Sequence, residues 1–481
     1  MKFNRRRFVS ASGGWLLLSA ALRASTATPD RFPMTLHEIS LQLTARKLTS
    51  RQLVEQALAR IEDAGGEGAR AFIRVHRSAA LASADRIDGE RKQGVSLPVL
   101  AGIPISIKDN FDEAGLVTLA GSKVLAAAPA AARDAIAVAR LREAGAVIIG
   151  RTNMTEFAYS GLGINPHYGT PRNTYDRAAA RIPGGSSSGA AISVGDGMAA
   201  AAIGTDTGGS TRIPAALNGL VGFKPTARRV PLDGVLPLSL TLDSAGPIAR
   251  NVADCALLDQ VLSASTANLP VVGLRGLRVA VPQTVVLDDL SASVAAAFSA
   301  ACTKLSAAGS VVVELPLREF ARAAEVNPRG AISSTEAWWW HRSWIGKAAG
   351  QYDPRVILRI RPGETVSAAD YLELLQQRRR FVADVEAAAR GFDALLMPTT
   401  PDTAPTIAEV VANDESYFRF NGRMLRNSAL VNLFDGCALS IPCHRTGEAP
   451  VGLMLAGLQG QDARVLSLGL AIESLLRPQL A

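Results

Sequence analysis

"GGSSSGAAISVGDGMAAAAIGTDTGGS", residues 184–210, carries the fold decision in its order of parts. It opens on glycine and serine and runs on through small residues as a helix. "MAAAAIG" (198–204) then reads as a strand, and the chain breaks into the loop "GTDTGGSTRIP" (204–214). A helix that feeds a short apolar strand is the mark of a sheet covered by helices. Gly204, Gly208 and Gly209 let the loop backbone adopt conformations that other residues resist. Consecutive N–H groups turned inward would make it a cradle for a negative oxygen. The same composition also suits a plain turn. This stretch alone leaves both readings open.

Outward from it the same alternation recurs. "GIPISIKDN" (102–110) is a β-branched run that ends abruptly in Lys108, Asp109 and Asn110. Residues 134–144 read as a helix and "AVIIG" (146–150) as a buried strand. Toward the N-terminus, 35–64 reads as helical: Thr49 and Gln52 have capping-box spacing, and Leu53, Ala57 and Ile61 follow at helical intervals. A further helix is expected over 78–92. Beyond Arg250 the segments are helix-like, interrupted by the strands "LRVAVP" (277–282) and "FDALLMP" (392–398). Residues 321–391 are helical and carry Trp338, Trp339 and Trp340. With no internal repeat and no low-complexity linker, the pattern predicts one large α/β domain over residues 28–481.

The first 27 residues read as a processing segment. "NRRRFVS" (4–10) sets adjacent arginines before an apolar stretch, Trp15 to Leu22, and the small residues "STA" (25–27) suit cleavage. That order matches a bacterial export signal of twin-arginine type, which implies a periplasmic or secreted protein. Its apolar part is far shorter than the roughly 20 residues that span a bilayer, so no stable membrane insertion is expected after processing. The segment also explains the charge. Lys2, Arg5, Arg6, Arg7 and Arg23 stand against no acids, so the formal +8 falls by five to +3 without it. Such a balance argues against nucleic acid as a partner.

Cys255, Cys302, Cys437 and Cys443 are too few for a disulfide-built scaffold. Cys437 and Cys443 could pair in an oxidising compartment, although buried free thiols are the expectation. No zinc-ligand spacing occurs and no metal or other cofactor is expected. A Gly-x-Ser-x-Gly elbow can be drawn through Gly185, Ser187 and Gly189. It lacks a good strand before it, since "TYDRAAARIP" precedes, and the later histidines His341 and His444 sit in no recognisable setting. No phosphate-binding glycine loop is present either. A lysine ending an apolar strand is unusual. Desolvation there would lower the pKa of Lys108 and could make it a neutral general base, whereas at a solvated strand end it would be unremarkable.

Taken together, "KDN", "PGGSSSG" and "GTDTGGS" closely resemble, in order and spacing, the amidase signature family of serine hydrolases. The resemblance runs through "AGIPISIKDNFDEAGLVTLAGSKVL", "RTNMTEFAYSGLGINPHYGTPRN" and "RIPAALNGLVGFKPT", and resumes in "PVGLMLAGLQGQDARVLSLGLAIE". It covers 36–473 and is weakest between 271 and 390. It implies a mixed β-sheet core between helical layers and hydrolysis of a small-molecule carboxylic amide. It implies Lys108 as general base, Ser186 as a bridging serine on a cis peptide and Ser210 as nucleophile. Thr207, Gly208, Gly209 and Ser210 would supply oxyanion N–H groups, with Asp206 and Arg212 supporting their loop. Thr211 and Ala190 depart from the family's commoner residues without removing a catalytic group. The family also includes the amide-transferring subunit that makes glutaminyl-tRNA, and a catalytically silent binding protein is a further alternative. The acyl pocket is expected within 320–430, with Trp338–Trp340 more in keeping with core than with pocket. A homodimer is compatible with the resemblance.

Overall fold

The computed structural model describes residues 35–477, and the expected export segment over 1–27 lies outside the described residues. Among the described residues eleven strands form one sheet. In chain order they are β1 (Phe72–Val75), β2 (Pro104–Lys108), β3 (Val147–Thr152), β4 (Ala201–Asp206), β5 (Val221–Lys224), β6 (Ser244–Ala249), β7 (Arg278–Pro282), β8 (Val311–Leu315), β9 (Ala394–Pro398), β10 (Cys437–Pro442) and β11 (Gly452–Gly457). Their spatial order is β1-β3-β2-β4-β6-β5-β10-β11-β9-β7-β8. The sheet is mixed: β2 lies parallel to β3 and to β4, whereas β4 runs antiparallel to β6 and β10 antiparallel to β11. All described residues fall in a single compact unit.

Side chains of β7, β9, β10 and β11 alternate between two hydrophobic clusters, one on each face of the sheet, which is why both faces must be covered. Val279, Leu396, Leu439 and Leu455 enter one core, with Val252, Leu258, Val465 and Leu468 of the helices over that face. Ala280, Met397, Ala438 and Met454 enter the other, against Phe381, Val385, Leu430 and Val431. Each such fully buried Val, Leu, Met or Phe side chain contributes roughly 1.5–3 kcal/mol. The expected α/β architecture, with helices on both sides of a mixed sheet, is the observed one.

Several boundaries differ from the sequence reading. The 35–64 stretch is two helices, Leu36–Thr44 and Ser50–Glu62, each opened by a capping box (Thr35 with Glu38, Thr49 with Gln52). The strand read at 198–204 runs instead from Ala201 to Asp206, so Gly204, Thr205 and Asp206 belong to a strand and not to the loop. Antiparallel pairing of Gly204 with Gly246 and of Asp206 with Ser244 extends it. Gly204 therefore serves close approach, because a Cβ there would stand 2.5 Å from Ser187 Oγ. The sequence pattern does not foretell β1, β5, β6, β8, β10 or β11. "SAGPIA" and "GLMLAG" of β6 and β11 hold few β-branched residues, and their strand character comes from sheet neighbours far away in the chain.

Candidate active site

β2 and β4 are adjacent and parallel, so their carboxyl ends open on the same edge of the sheet, where α/β folds place ligands. Lys108 is the last residue of β2 and is fully buried. Its Nζ donates to Ser186 Oγ at 2.7 Å and to Thr205 Oγ1 at 2.7 Å, with the Thr205 carbonyl at 3.4 Å. Asn110 Nδ2 donates to the same threonine hydroxyl at 3.1 Å. Burial pushes the Lys108 ammonium down to about 7, against the upward pull of the Asp243 and Asp206 charges. A strand-end lysine on the surface is thereby excluded.

Ser186 follows a cis Gly185–Ser186 peptide bond and is buried. Its carbonyl accepts from the Thr155 N–H at 3.0 Å, and the Ser187 N–H donates to the Ser210 carbonyl at 3.3 Å. The first bond ties the serine loop to the segment after β3, and the second ties it to the glycine loop. Ser187 itself is buried, stands at the N-cap of the helix Ser188–Gly195, and its Oγ donates to the Thr205 carbonyl at 3.3 Å. With no strand leading into it and its hydroxyl turned into the sheet, the elbow geometry does not form. Nor do the later histidines approach it: His341 Nδ1 and the Tyr352 hydroxyl share a hydrogen bond of 2.9 Å, and the His444 ring lies near Gly219.

The loop after β4 is held by its own aspartate. Asp206 Oδ1 accepts from the Gly209 N–H at 2.8 Å, and Oδ2 from the Thr211 N–H at 3.1 Å. The buried Arg212 guanidinium grips both oxygens, at 2.8 and 3.1 Å. Burial alone would raise the Asp206 pKa. The Arg212 charge and hydrogen bonds outweigh it and hold the carboxyl well below its ordinary value. Asn432 Nδ2 donates to Asp206 Oδ1 at 3.0 Å, while Ser428 Oγ donates to the Gly208 carbonyl at 2.7 Å. Thr207 Oγ1 donates to Asp243, whose carboxyl burial pushes up to about 6. Gly209 sits at φ +131°, where a side chain is strained. The loop is a clamped structure, not a flexible turn.

Thr207, Gly208 and Ser210 line a cavity of about 500 Å³, and Ser210 is 3% exposed. Gly209 does not line it, and its N–H is engaged by Asp206, which removes it from the expected set of oxyanion donors. The rest of the wall comes from 323–333, Arg359 and 422–430, inside the expected 320–430 region, and from Leu433, Ala158–Ser160, Leu238 and Leu242 outside it. Trp338 and Trp340 pack instead into a core with Phe157 and Tyr352, Trp339 is 52% exposed, and none of the three lines this cavity. The sequence reading does not single out Thr205, Asp243, Ser428 or Asn432. Thr205 lies inside the quoted motif, but nothing local marks Asp243 or Asn432, 36 and 226 residues from their partners. None of the four cysteines forms a disulfide among the described residues, Cys437 and Cys443 included.

Comparison with known proteins gives a consistent picture. A family profile described as Amidase matches residues 52–466. The chain is 38% identical over 456 residues to the 2-amino-5-chloromuconic acid deaminase of Comamonas testosteroni, covering 92% of this chain and 96% of that protein. It is 34% identical over 488 residues to the mandelamide hydrolase of Pseudomonas putida, covering 94% and 93%. A glutamyl-tRNA(Gln) amidotransferase component of Symbiobacterium thermophilum is also 34% identical, over 473 residues, covering 90% and 95%. Among solved structures, one described as the crystal structure of amidase superposes with a TM-score of 0.83 at 32% identity, covering 92% of this chain and all of that one.

Proposed function

This chain belongs to the amidase signature family and is a hydrolase of carbon–nitrogen bonds, and from that premise we propose that it cleaves a carboxylic amide through an acyl-enzyme on Ser210. The observation that carries the reading is the buried Lys108, 2.7 Å from Ser186 and depressed to about 7, beside a cavity that Ser210 lines. A serine hydroxyl attacks poorly until a base takes its proton. In the neutral state Lys108 Nζ accepts the Ser186 proton while Ser186 Oγ accepts that of Ser210. Ser210 Oγ then bonds to the amide carbon, and the carbonyl electron pair moves onto oxygen.

The backbone N–H groups of Thr207, Gly208 and Ser210 face that oxyanion. One well-placed donor contributes about 3–4 kcal/mol to such a transition state. The proton held on Lys108 returns through Ser186 to the nitrogen as the C–N bond breaks, releasing ammonia or an amine. Water, deprotonated by the same relay, attacks the acyl carbon. Its proton goes back to Ser210 Oγ as the acid leaves.

Likeness to amidotransferase components supports a second reading, in which the chain releases ammonia for a partner. The purified single chain decides between them. Hydrolysis of small amides without partner proteins, with a fluorophosphonate adduct on Ser210 by peptide mass spectrometry, is the expected result. Near-normal amide hydrolysis by Ser210→Ala would overturn the mechanism.

A further inference from the structure

Among the described residues three arginines line the cavity, Arg329, Arg359 and Arg426, and no acidic side chain does. Their chain neighbours behave differently. Arg322, Arg355 and Arg423 are each paired with a carboxylate, of Asp384, Asp414 and Asp402 respectively. The cavity arginines have no carboxylate at ion-pair distance among the described residues. Arg355 and Arg359 lie one turn apart on one helix, and Arg423 and Arg426 on another, so within each pair the chain neutralises one charge and leaves the cavity-lining one bare.

Two of the bare charges are nevertheless fixed in place. The Arg359 guanidinium lies over the Tyr159 ring, 4.4 Å from its centroid, and donates to the Tyr159 carbonyl. Arg426 donates to the carbonyls of Val286 and Asp288 and to Asn427 Oδ1. Asp288 and Asp289 bear on its charge from outside the cavity without an ion pair. These bonds use one and three of each group's five N–H donors and leave the remainder for a ligand. Arg329 projects from the short turn Pro328–Gly330 and is exposed, at the rim. The same cavity is lined by Leu238, Leu242, Leu425, Leu430 and Leu433, with Ser160, Asn327 and Ser333 among its uncharged polar side chains beside Thr207 and Ser210. Uncompensated guanidinium groups in the same largely leucine-lined cavity as Ser210 suit a planar anion carried on a short hydrocarbon chain. The volume fits a small substrate.

We propose that the enzyme selects primary amides whose acyl chain ends in a carboxylate, held by Arg359 and Arg426 with Arg329 closing over it. This rests on the amide-hydrolase reading above. The probes are succinamate, glutaramate and adipamate, each beside the uncharged amide in which an isopropyl group replaces the carboxylate. At least one anionic probe should exceed its isostere in kcat/KM by roughly tenfold to a hundredfold, the range of a charge-assisted hydrogen bond. Added salt should narrow that ratio. In Arg426→Gln and Arg329→Gln the ratio should fall toward one through a raised KM for the anion, with partial recovery in Arg426→Lys.

Equal kcat/KM for every charged and uncharged pair, with Ser210 turning them over, would overturn the carboxylate subsite and leave the hydrolase reading standing. Should no amide be hydrolysed and Ser210 take no fluorophosphonate, the hydrolase reading falls instead. Calorimetric binding of the same pairs to Ser210→Ala then decides the subsite. Preference for the anion, lost in the arginine variants, supports it, and indifference to charge refutes it.

Discussion

Lys108→Met should make the protein inactive and, at neutral pH, more stable. An ammonium that ionises at about 7 in the fold and near 10.5 in the unfolded chain binds more protons when unfolded throughout that window. Wild-type stability therefore rises with pH between the two values. The burden of burying Lys108 is fully developed below the lower value and absent above the upper one. Linkage makes that burden about 4 kcal/mol at pH 7 and about 2 kcal/mol at pH 9. Methionine fills the same volume and carries none of it. The substitution also removes the hydrogen bonds to Ser186 and Thr205, worth about 1 kcal/mol each, and leaves two buried hydroxyls short of a partner. The variant should thus gain about 1–2 kcal/mol at pH 7 and lose that advantage by pH 9. Paired urea unfolding curves of the two proteins at pH 7, 8 and 9 measure this. Asp109 and Asp243, both pushed up to about 6 by burial, titrate below the window, and Lys224, at about 8, is common to both proteins. The same deprotonation should give wild-type kcat/KM a rising limb that levels above about pH 7. Stability curves that stay parallel from pH 7 to 9 would mean that Lys108 keeps its proton in the fold, and the base assignment would fail.

Three further outcomes follow from the loop and the leader. Asp206→Asn leaves the buried Arg212 charge unpaired and should destabilise the protein by about 3–5 kcal/mol, read as a lowered urea midpoint; a change below about 1 kcal/mol would contradict the clamp. Gly209→Ala places a Cβ 2.2 Å from Ser428 Oγ at a φ of +131°, so kcat should fall at least about tenfold with the fold retained. Pairing it with Ser428→Ala should recover part of the loss, and strict additivity of the two changes would argue against that contact. We also propose twin-arginine export: with Arg5 and Arg6 both changed to Lys, precursor should accumulate inside the cell, and normal periplasmic delivery of that variant would refute the route.

What the sequence reveals and what it hides divide along chain separation. Lys108, Ser186 and Ser210 are legible because each stands at a break in a local pattern: a charge ending an apolar strand, and glycine–serine runs between periodic segments. Parallel neighbours β2 and β4 then bring those breaks to one edge, so the proposed Lys108, Ser186 and Ser210 all come from residues 108–210. The sequence overstates the oxyanion loop at Gly209, since its glycine signal is the same whether an N–H faces a ligand or the protein's own Asp206. β5, β6, β10 and β11 are hidden because small residues in a crowded sheet interior carry neither a period of two nor β-branched enrichment.

The cavity arginines are hidden for a stronger reason. In the sequence Arg359 and Arg426 cannot be told from Arg355 and Arg423, which sit on the same helices and carry the same charge. Only the fold shows that Asp414 and Asp402 neutralise one member of each pair and nothing among the described residues forms an ion pair with the other. Groups for bond cleavage must lie within hydrogen-bond reach of one another, so a few short motifs can carry them once adjacent strands bring those motifs together. Selectivity is a property of a wall gathered from segments 158–160, 238–242, 323–333, 359 and 422–433, where each residue's meaning depends on which partner the others leave it. Motifs therefore point to the reaction class of this chain, and the charge left uncompensated around the cavity is the basis on which we propose its substrate class.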